Sequence, residues 1–270
     1  MKTEGHQDIK KTIRKTYGKI ALQENNNESG SSSCCAPGCC SGGGGDSPAQ
    51  AATVVGYETR ELESVPQASI LGVGCGAPVK FADLQKGETV VDLGSGGGID
   101  VFLSANKVSS TGKVIGIDMT DEMLERARRN AKEGGYTNVE FRKGDIEKRI
   151  PVDDNSIDVV ISNCVINLTM DKVNAFKEIY RILKHTGRMV ISDLVTDTEI
   201  AAIDANAEKW CDCIDGALTE EHYLDSIKKA GFQDVEVLSE QLYTEDDYDN
   251  QLDGKRKKKK ITSVVIKAVK

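Results

Sequence analysis

Cysteine is the residue type through which this chain of 270 residues could do chemistry, because it has eight cysteines and only three histidines. The sequence contains no Ser/His/Asp set and no histidine cluster with metal-ligand spacing. Thiolates are nucleophiles and ligands of soft metals. The N-terminal sequence MKTEGHQDIKK lacks the apolar core of a secretion signal. We therefore expect a cytoplasmic protein whose thiols are ligands or reactive groups rather than structural disulfides.

Half of the cysteines lie in a low-complexity stretch rich in Gly and Ser, from Asn25 to Gln50. Such a segment cannot bury enough apolar surface to fold alone, so the sequence predicts a flexible linker with mobile thiols. Free cysteines tolerated in a disordered tail are the alternative. The two adjacent pairs of thiols are Cys34, Cys35, Cys39 and Cys40.

Cys75 lies between Gly74 and Gly76 in the apolar run ILGVGCGAP. Because glycine has no Cβ, these neighbours would leave the thiol open to a ligand that approaches along the backbone. A small buried cysteine is the alternative interpretation.

The run TVVDLGSGGGID predicts a cofactor-binding turn. Thr89 to Leu93 is typical of a buried strand, glycines follow it, and a helix begins near Ile99. This is the pattern of the first βα unit of a doubly wound sheet, in which ligands bind outside the carboxyl ends of the strands. A second strand, Gly112 to Asp118, ends in an acid that can accept hydrogen bonds from ribose hydroxyls. A tight turn followed by a surface aspartate is the alternative.

The elements that position these residues alternate between strand and helix, which predicts an α/β fold with a mostly parallel, doubly wound sheet. A third strand should end near Asp145 and Ile146, where an acid could accept a hydrogen bond from the amino group of an adenine-containing cofactor. A fourth strand, from Ile157 to Ser162, leads into Asn163 and Cys164 above the cofactor pocket. The segments RMVISDL, QDVEVLSE and ITSVVIKAVK should complete seven strands.

Helices are predicted where apolar residues recur at helical spacing. Ile9, Ile13, Tyr17 and Ile20 share one side of an N-terminal helix that we expect to pack on the main domain; partner binding is the alternative. Later helices should begin at the N-cap residues Thr120, Asp171 and Thr219, and the second of these should end at Gly187.

The composition of the chain disfavours some classes of binding partner. A net charge of −8 and only 5% aromatic residues disfavour nucleic acid, and no apolar run is long enough to span a membrane. The segment EDDYDNQLDGKRKKKK predicts an exposed, hairpin-like loop with a solvated charge run, and a nucleic-acid patch is the alternative. We expect a monomer with three parts: residues 1–52 (N-terminal helix and Cys-rich segment), 53–195 (cofactor-binding domain) and 196–270 (lid region and last strands).

Six segments together resemble the arsenite S-adenosylmethionine methyltransferases, a branch of the class I methyltransferases. They are GVGCGAP, DLGSGGGIDVFLSA, VIGIDMTDEML, SNCVINL, GRMVISDL and CIDGAL. DLGSGGG alone is common to many methyltransferases, whereas Cys75, Cys164 and Cys213 in these contexts are far more specific. The resemblance covers most of the chain.

The resemblance implies that Cys75, Cys164 and Cys213 hold arsenic(III), and that a cysteine among the four near the N-terminus is a redox partner. Cys211 is outside the motif, and we expect its side chain to point away from the site. The implied contacts with S-adenosylmethionine are Asp92, Gly94, Ser95, Gly96 and Gly98 at the methionine and ribose end, Asp118 at the ribose, Met119, Asp145 and Ile146 at the adenine, and Asn163 near the methionine.

The chemistry agrees with this residue set. Methylation of oxygen, nitrogen or carbon commonly needs a base, whereas the lone pair of arsenic held by thiolates needs none. Methylation leaves arsenic formally pentavalent, so two thiols must return two electrons and become a disulfide. An external thiol or thioredoxin-like reductant would reset the enzyme, and arsenic detoxification is the implied role. The rival interpretations are a methyltransferase of another small acceptor, such as a quinone or sterol, and a Cys-rich metal-sequestering protein.

Overall fold

The structure is a computed structural model, and it describes residues 2–23, 47–198, 210–211, 213–250 and 255–270. The helices are α1 (Lys2–Leu22), α2 (Pro48–Val54), α3 (Thr59–Glu63), α4 (Pro78–Phe81), α5 (Ile99–Val108), α6 (Asp121–Glu133), α7 (Lys172–Ile182) and α8 (Glu220–Lys229). The strands are β1 (Thr89–Leu93), β2 (Lys113–Asp118), β3 (Val139–Lys143), β4 (Ile157–Asn163), β5 (Leu183–Thr196), β6 (Asp234–Asn250) and β7 (Lys255–Val269). Short 3-10 turns cover Gln67–Ser69 and Ile166–Leu168.

One seven-stranded sheet, in the order β3-β2-β1-β4-β5-β7-β6, forms the centre of the fold. The first five strands in this order are parallel, and β7 is antiparallel to both of its neighbours. Val90, Val91 and Leu93 are completely buried because helices cover both faces of β1. This arrangement confirms the predicted α/β fold class and brings the loops after β1, β2 and β4 to one edge.

Helix α1 packs on this domain, as its apolar side predicts. Ile13 and Ile20 are buried, and Ile20 forms a small cluster with Met123 of α6. The guanidinium of Arg126 donates to the backbone oxygens of Ala21 and Gln23, at 3.0 and 2.6 Å, which fixes the end of the helix. None of the described helices is both long enough and apolar enough to cross a membrane.

Helix α7 ends earlier than the sequence predicts. It stops at Ile182, and Leu183 already pairs with Ile157 in the sheet, so helix and strand join without a loop. Gly187, expected to end the helix, lies inside β5 instead. The predicted caps at Asp171 and Thr219 are confirmed because each side chain accepts a backbone N–H three residues on.

Three further differences concern the ends of elements. β3 stops at Lys143, before Asp145, and α2 occupies the end of the stretch expected to be linker. Thr120 lies at the N-cap of α6, but its side chain makes no capping hydrogen bond. The expected charged loop is a continuation of β6 and β7, in which Asp246, Asp247 and Asp249 pair in register with Lys259, Lys258 and Arg256.

Part of the lid expected after β5, residues 199–209 and residue 212, lies outside the described residues. The proposed division at residues 52 and 195 stays a prediction.

Candidate active site

A cleft opens beside the carboxyl ends of β1, β2 and β4, where open α/β sheets bind their ligands. Almost all of the residues predicted to bind the cofactor line it: Asp92, Gly94, Ser95, Gly96, Asp118, Met119, Asp145, Ile146 and Asn163. Gly98 lies behind them as the N-cap of α5, with a φ of 98°.

The glycine turn is fixed to the neighbouring strand. The backbone N–H groups of Gly94 and Ser95 both donate to the oxygen of Ile117, at 2.7 and 3.0 Å. Gly94 has a φ of 69°, and a Cβ at this position would overlap the side chain of Val165. Only glycine therefore allows the loop after β4 to close on this turn.

Asp118 joins the same turn to the loop after β2. Its two carboxylate oxygens accept the N–H of Gly96 at 3.0 Å and that of Thr120 at 2.8 Å. Burial raises the pKa of Asp118, and these backbone hydrogen bonds oppose the rise. The carboxylate thus lines the cleft from a fixed position.

Two buried acids occupy the end of the cleft beside β1. Burial raises the pKa of Asp100 to about 7, although hydrogen bonds from Tyr57 and Asn163 counter part of the rise. Burial, followed by the charges of Asp100 and Asp118, raises the pKa of Asp92 well above its usual value. Acids in such surroundings favour a cationic ligand, because a positive charge would relieve their repulsion.

At the other end of the cleft, α1 supplies a cation. The ammonium of Lys10 donates to both carboxylate oxygens of Asp145, at 2.9 and 2.8 Å, and forms an ion pair with Glu147. Ile13 and Tyr17, on the same side of α1, also line the cleft. The N-terminal helix is therefore one wall of the cleft.

The structure brings Cys75 and Cys164 together, although they are 89 residues apart, and joins them as a disulfide. This differs from the expected pair of free thiols. Cys213 forms no disulfide with the other described cysteines, and its thiol donates to the backbone oxygen of Cys164 at 3.1 Å. The carboxylate of Asp193 completes a group in which its oxygen and the sulfurs of Cys75 and Cys164 all lie within 4.8 Å of one another.

Two of these cysteines have unusual backbones. Cys164 and Cys213 have φ values of 57° and 64°, in the left-handed region that side chains other than glycine rarely adopt. The N–H of Cys164 donates to the oxygen of Ser192 at 2.8 Å, which ties this conformation to β5. Such strain is concentrated at functional sites because the surrounding structure has to maintain it.

Cys75 is more enclosed than its flanking glycines suggest. Its N–H donates to the side-chain oxygen of Asn163 at 3.1 Å, and its backbone oxygen accepts the hydroxyl of Ser263 at 2.6 Å. A Cβ on Gly76 would overlap Ser192. The glycine therefore lets the loop lie directly on β5, and only 3% of Cys75 is exposed.

A polar network lies beneath the cysteines. The carboxylate of Asp193 accepts the hydroxyl of Tyr223 at 2.8 Å and the N–H of Asn167 at 3.1 Å, and its other oxygen has no partner among the described residues. Burial raises the pKa of Asp193 and lowers that of Lys172, whose charge opposes the rise at Asp193.

Cys211 points toward α1, with its Sγ 3.8 Å from the hydroxyl of Thr16. The four cysteines predicted as redox thiols, Cys34, Cys35, Cys39 and Cys40, lie outside the described residues.

Sequence reasoning missed several residues of the cleft. Asp100 carries a usable signal, since it is an acid in the first turn of the helix that follows the glycines. Lys10 and Tyr57 carry no such signal, because the sequence around them does not indicate where their segments pack on the sheet.

Comparison with known proteins supports a methyltransferase. A methyltransferase-domain family profile matches residues 84–231. The arsenite methyltransferase of Halobacterium salinarum is 41% identical over 201 residues, 74% of this chain and 51% of the relative. That of Mus musculus is 33% identical over 205 residues, 72% of this chain and 54% of the relative. The chain thus spans about half the length of these curated relatives.

A solved structure gives the same result. The arsenic(III) S-adenosylmethionine methyltransferase of Chlamydomonas reinhardtii is 31% identical and superposes with a TM-score of 0.62, over 83% of this chain and 73% of that one.

Proposed function

Because the chain belongs to the arsenite methyltransferase family, a branch of the class I methyltransferases, we propose that it methylates trivalent arsenic with S-adenosylmethionine. The substrates are arsenite and methylarsenite, and the role is arsenic detoxification in the cytoplasm. The observation that carries the proposal is that Cys75, Cys164 and Cys213, distant in sequence, belong to one packed cluster beside the cleft: Cys75 is joined to Cys164, and the thiol of Cys213 donates to the backbone oxygen of Cys164.

The cleft fits the cofactor by charge. S-adenosylmethionine supplies an electrophilic methyl group on a positive sulfonium and also carries an ammonium. Asp92 and Asp100 would face these charges. Burial, followed by the charges of Asp100 and Asp118, raises the pKa of Asp92, and a cationic ligand would oppose this rise. Asp118 would hold the ribose hydroxyls, while Met119, Asp145 and Ile146 would contact the adenine.

The cysteines would hold the substrate in their reduced form. Three As–S bonds replace three As–O bonds of arsenite, and each thiol proton leaves with a hydroxide as water. Arsenic bound to three sulfurs keeps its lone pair. Since Cys164 lines the cofactor cleft while Cys75 and Cys213 lie behind it, the lone pair would face the methyl group. The site then contributes mainly positioning.

Each transfer forms a C–As bond, breaks a C–S bond and leaves arsenic formally pentavalent. Two electrons must follow, and two thiols supply them by forming a disulfide and releasing two protons. We propose that Cys34, Cys35, Cys39 and Cys40 provide this pair and that an external thiol or thioredoxin-like reductant regenerates it. The same reductant would open the disulfide between Cys75 and Cys164.

Product analysis tests the proposal. Incubation with arsenite, S-adenosylmethionine and a small thiol should give methylarsenicals that appear in order over time. A Cys211→Ser variant keeps the three ligands and should give the same products. The proposal fails if arsenite stays unmethylated while a quinol acceptor is methylated.

A further inference from the structure

Helix α1 contacts both halves of the proposed active site. Lys10 reaches the adenine end through Asp145, and Ile13 and Tyr17 line the cleft. Tyr17 also donates its hydroxyl to the backbone oxygen of Cys211, at 3.2 Å. One helix therefore joins the cofactor cleft to the segment that carries Cys213.

The segment from Trp210 to Ala217 depends on contacts of this kind. The N–H of Cys213 donates to the oxygen of Trp210 at 3.1 Å, and the indole N–H of Trp210 donates to the oxygen of Leu168 at 3.2 Å. A Cβ on Gly216 would overlap the backbone of Asn167. The described residues of this segment thus lie against the loop after β4, and Tyr17 adds a hydrogen bond to the backbone oxygen of Cys211.

The strained backbone of Cys213 makes such support necessary. A φ of 64° is unfavourable for cysteine, so this conformation persists only while neighbouring contacts maintain it. The hydroxyl of Tyr17 donates to the backbone oxygen of Cys211, two residues before Cys213. The sulfur of Cys213 lies beside the backbone oxygen of Cys164.

We propose that Tyr17 is a positioning residue through which cofactor binding beneath α1 holds the segment of Cys213 in place for arsenite. This inference rests on the proposed function and adds a coupling between its two sites. The ring of Tyr17 contacts the cleft and its hydroxyl contacts the segment, so a ligand that orders the ring also orders the hydrogen bond. Such coupling must be reciprocal: the cofactor tightens arsenite binding by the same factor as arsenite tightens cofactor binding.

The matched variants are Tyr17→Phe and Tyr136→Phe. The first keeps the ring that lines the cleft and removes only the hydroxyl. The second removes a hydroxyl that donates to Ser64, at 3.3 Å, outside the cleft and the cysteine cluster. Trp210 is the only tryptophan of the chain, so its fluorescence reports on the segment directly.

The first measurement needs no arsenic. Addition of S-adenosylhomocysteine should reduce acrylamide quenching of Trp210 in the wild type and in Tyr136→Phe, but not in Tyr17→Phe. An unchanged response in Tyr17→Phe, or no response in the wild type, overturns the inference. Since arsenite is absent, this result is independent of whether the protein methylates arsenic.

The second measurement is arsenite affinity with and without S-adenosylhomocysteine. In Tyr17→Phe, the loss of one hydrogen bond should raise the Kd for arsenite about twofold to tenfold. This rise should occur only in the presence of S-adenosylhomocysteine. Affinity for S-adenosylhomocysteine without arsenite should fall by no more than the same factor, because the coupling is reciprocal. An equal rise in Kd with and without the product would show a purely structural role for Tyr17 and contradict the coupling. If none of the proteins binds arsenite, the proposed function fails while the first measurement still decides the role of Tyr17.

Discussion

Tyr57 donates its hydroxyl to the carboxylate of Asp100, with the phenol oxygen 3.0 and 2.9 Å from the two carboxylate oxygens. The side-chain amide of Asn163 donates to the same hydroxyl at 3.0 Å. Asn163 also accepts from the N–H of Cys75. A buried acid of the cleft is thereby connected, through two neutral side chains, to one of the proposed arsenic ligands.

Asp100→Asn tests the charge of this connection. The pKa of Asp100 is raised to about 7 in the folded state, against about 4 when unfolded. Its contribution to the free energy of unfolding is therefore fully present below pH 4 and is lost as the pH rises through about 7. The ligand-free wild type should lose stability between pH 5 and pH 7.5, on the order of a few kcal/mol, and Asp100→Asn should lose less. Chemical denaturation at both pH values measures the difference.

Glu125→Gln, on the exposed side of α6, is the control for Asp100→Asn and should follow the wild-type pH dependence. Calorimetry at pH 7.5 should show weaker S-adenosylmethionine binding in Asp100→Asn and unchanged binding in the control. Wild-type affinity in Asp100→Asn would exclude a cation at this end of the cleft.

Lys10→Met tests the attachment of α1. Without the ammonium, Asp145 and Glu147 lose their shared cation, and the helix loses its contact with the segment after β3. Amide hydrogen exchange in α1 should become faster, because local opening costs less free energy. The Km for S-adenosylmethionine should rise, since Asp145 no longer has a fixed orientation. Lys11→Met is the matched control, because Lys11 is exposed; equal exchange in the two variants would contradict the role of Lys10.

Cys213→Ser tests the third arsenic ligand. Only two sulfurs would remain, so X-ray absorption of bound arsenite should show a mixed sulfur and oxygen shell instead of three sulfurs. Methylation should fall severely, while S-adenosylmethionine affinity stays the same because Cys213 does not line the cleft. Cys211→Ser, two residues away, should keep three sulfur neighbours. Wild-type methylation by Cys213→Ser would remove this residue from the ligand set.

Asp118→Ala tests the ribose contact. Losing charge-assisted hydrogen bonds costs about 1.5–3 kcal/mol, so cofactor affinity should fall roughly tenfold to a hundredfold. The N–H groups of Gly96 and Thr120 also lose their acceptor, so the melting temperature should fall as well. Asp118→Asn separates the two effects, because the amide keeps one acceptor oxygen but not the charge. Unchanged cofactor affinity in both variants would exclude Asp118 from the site.

The sequence predicts those parts of the site that follow from local pattern. Gly94 and Asp118 lie at strand ends, and in a parallel sheet these ends share one edge, so their proximity could be inferred without coordinates. The boundary at Leu183 could not, because Leu183 still fits the helical spacing of the apolar residues before it, and only its pairing with Ile157 places it in the sheet.

Long-range contacts account for the other differences. The cleft wall formed by Lys10 depends on where a whole helix docks, some 135 positions from Asp145 in sequence. The burial of Cys75 depends on Ser263, which comes from the last strand. The residues next to Asp145 and Ser263 in the sequence give no sign of these two contacts.

The repulsion between Asp92 and Asp100 also bears on what happens after the reaction. A methyl donor enters the cleft with a positive sulfonium, whereas its demethylated product is a neutral thioether. The same two carboxylates would therefore bind the product more weakly than the donor, because methyl transfer removes the positive charge that they attract. The demethylated product would therefore dissociate more readily than the methyl donor, and this discrimination would require no conformational change.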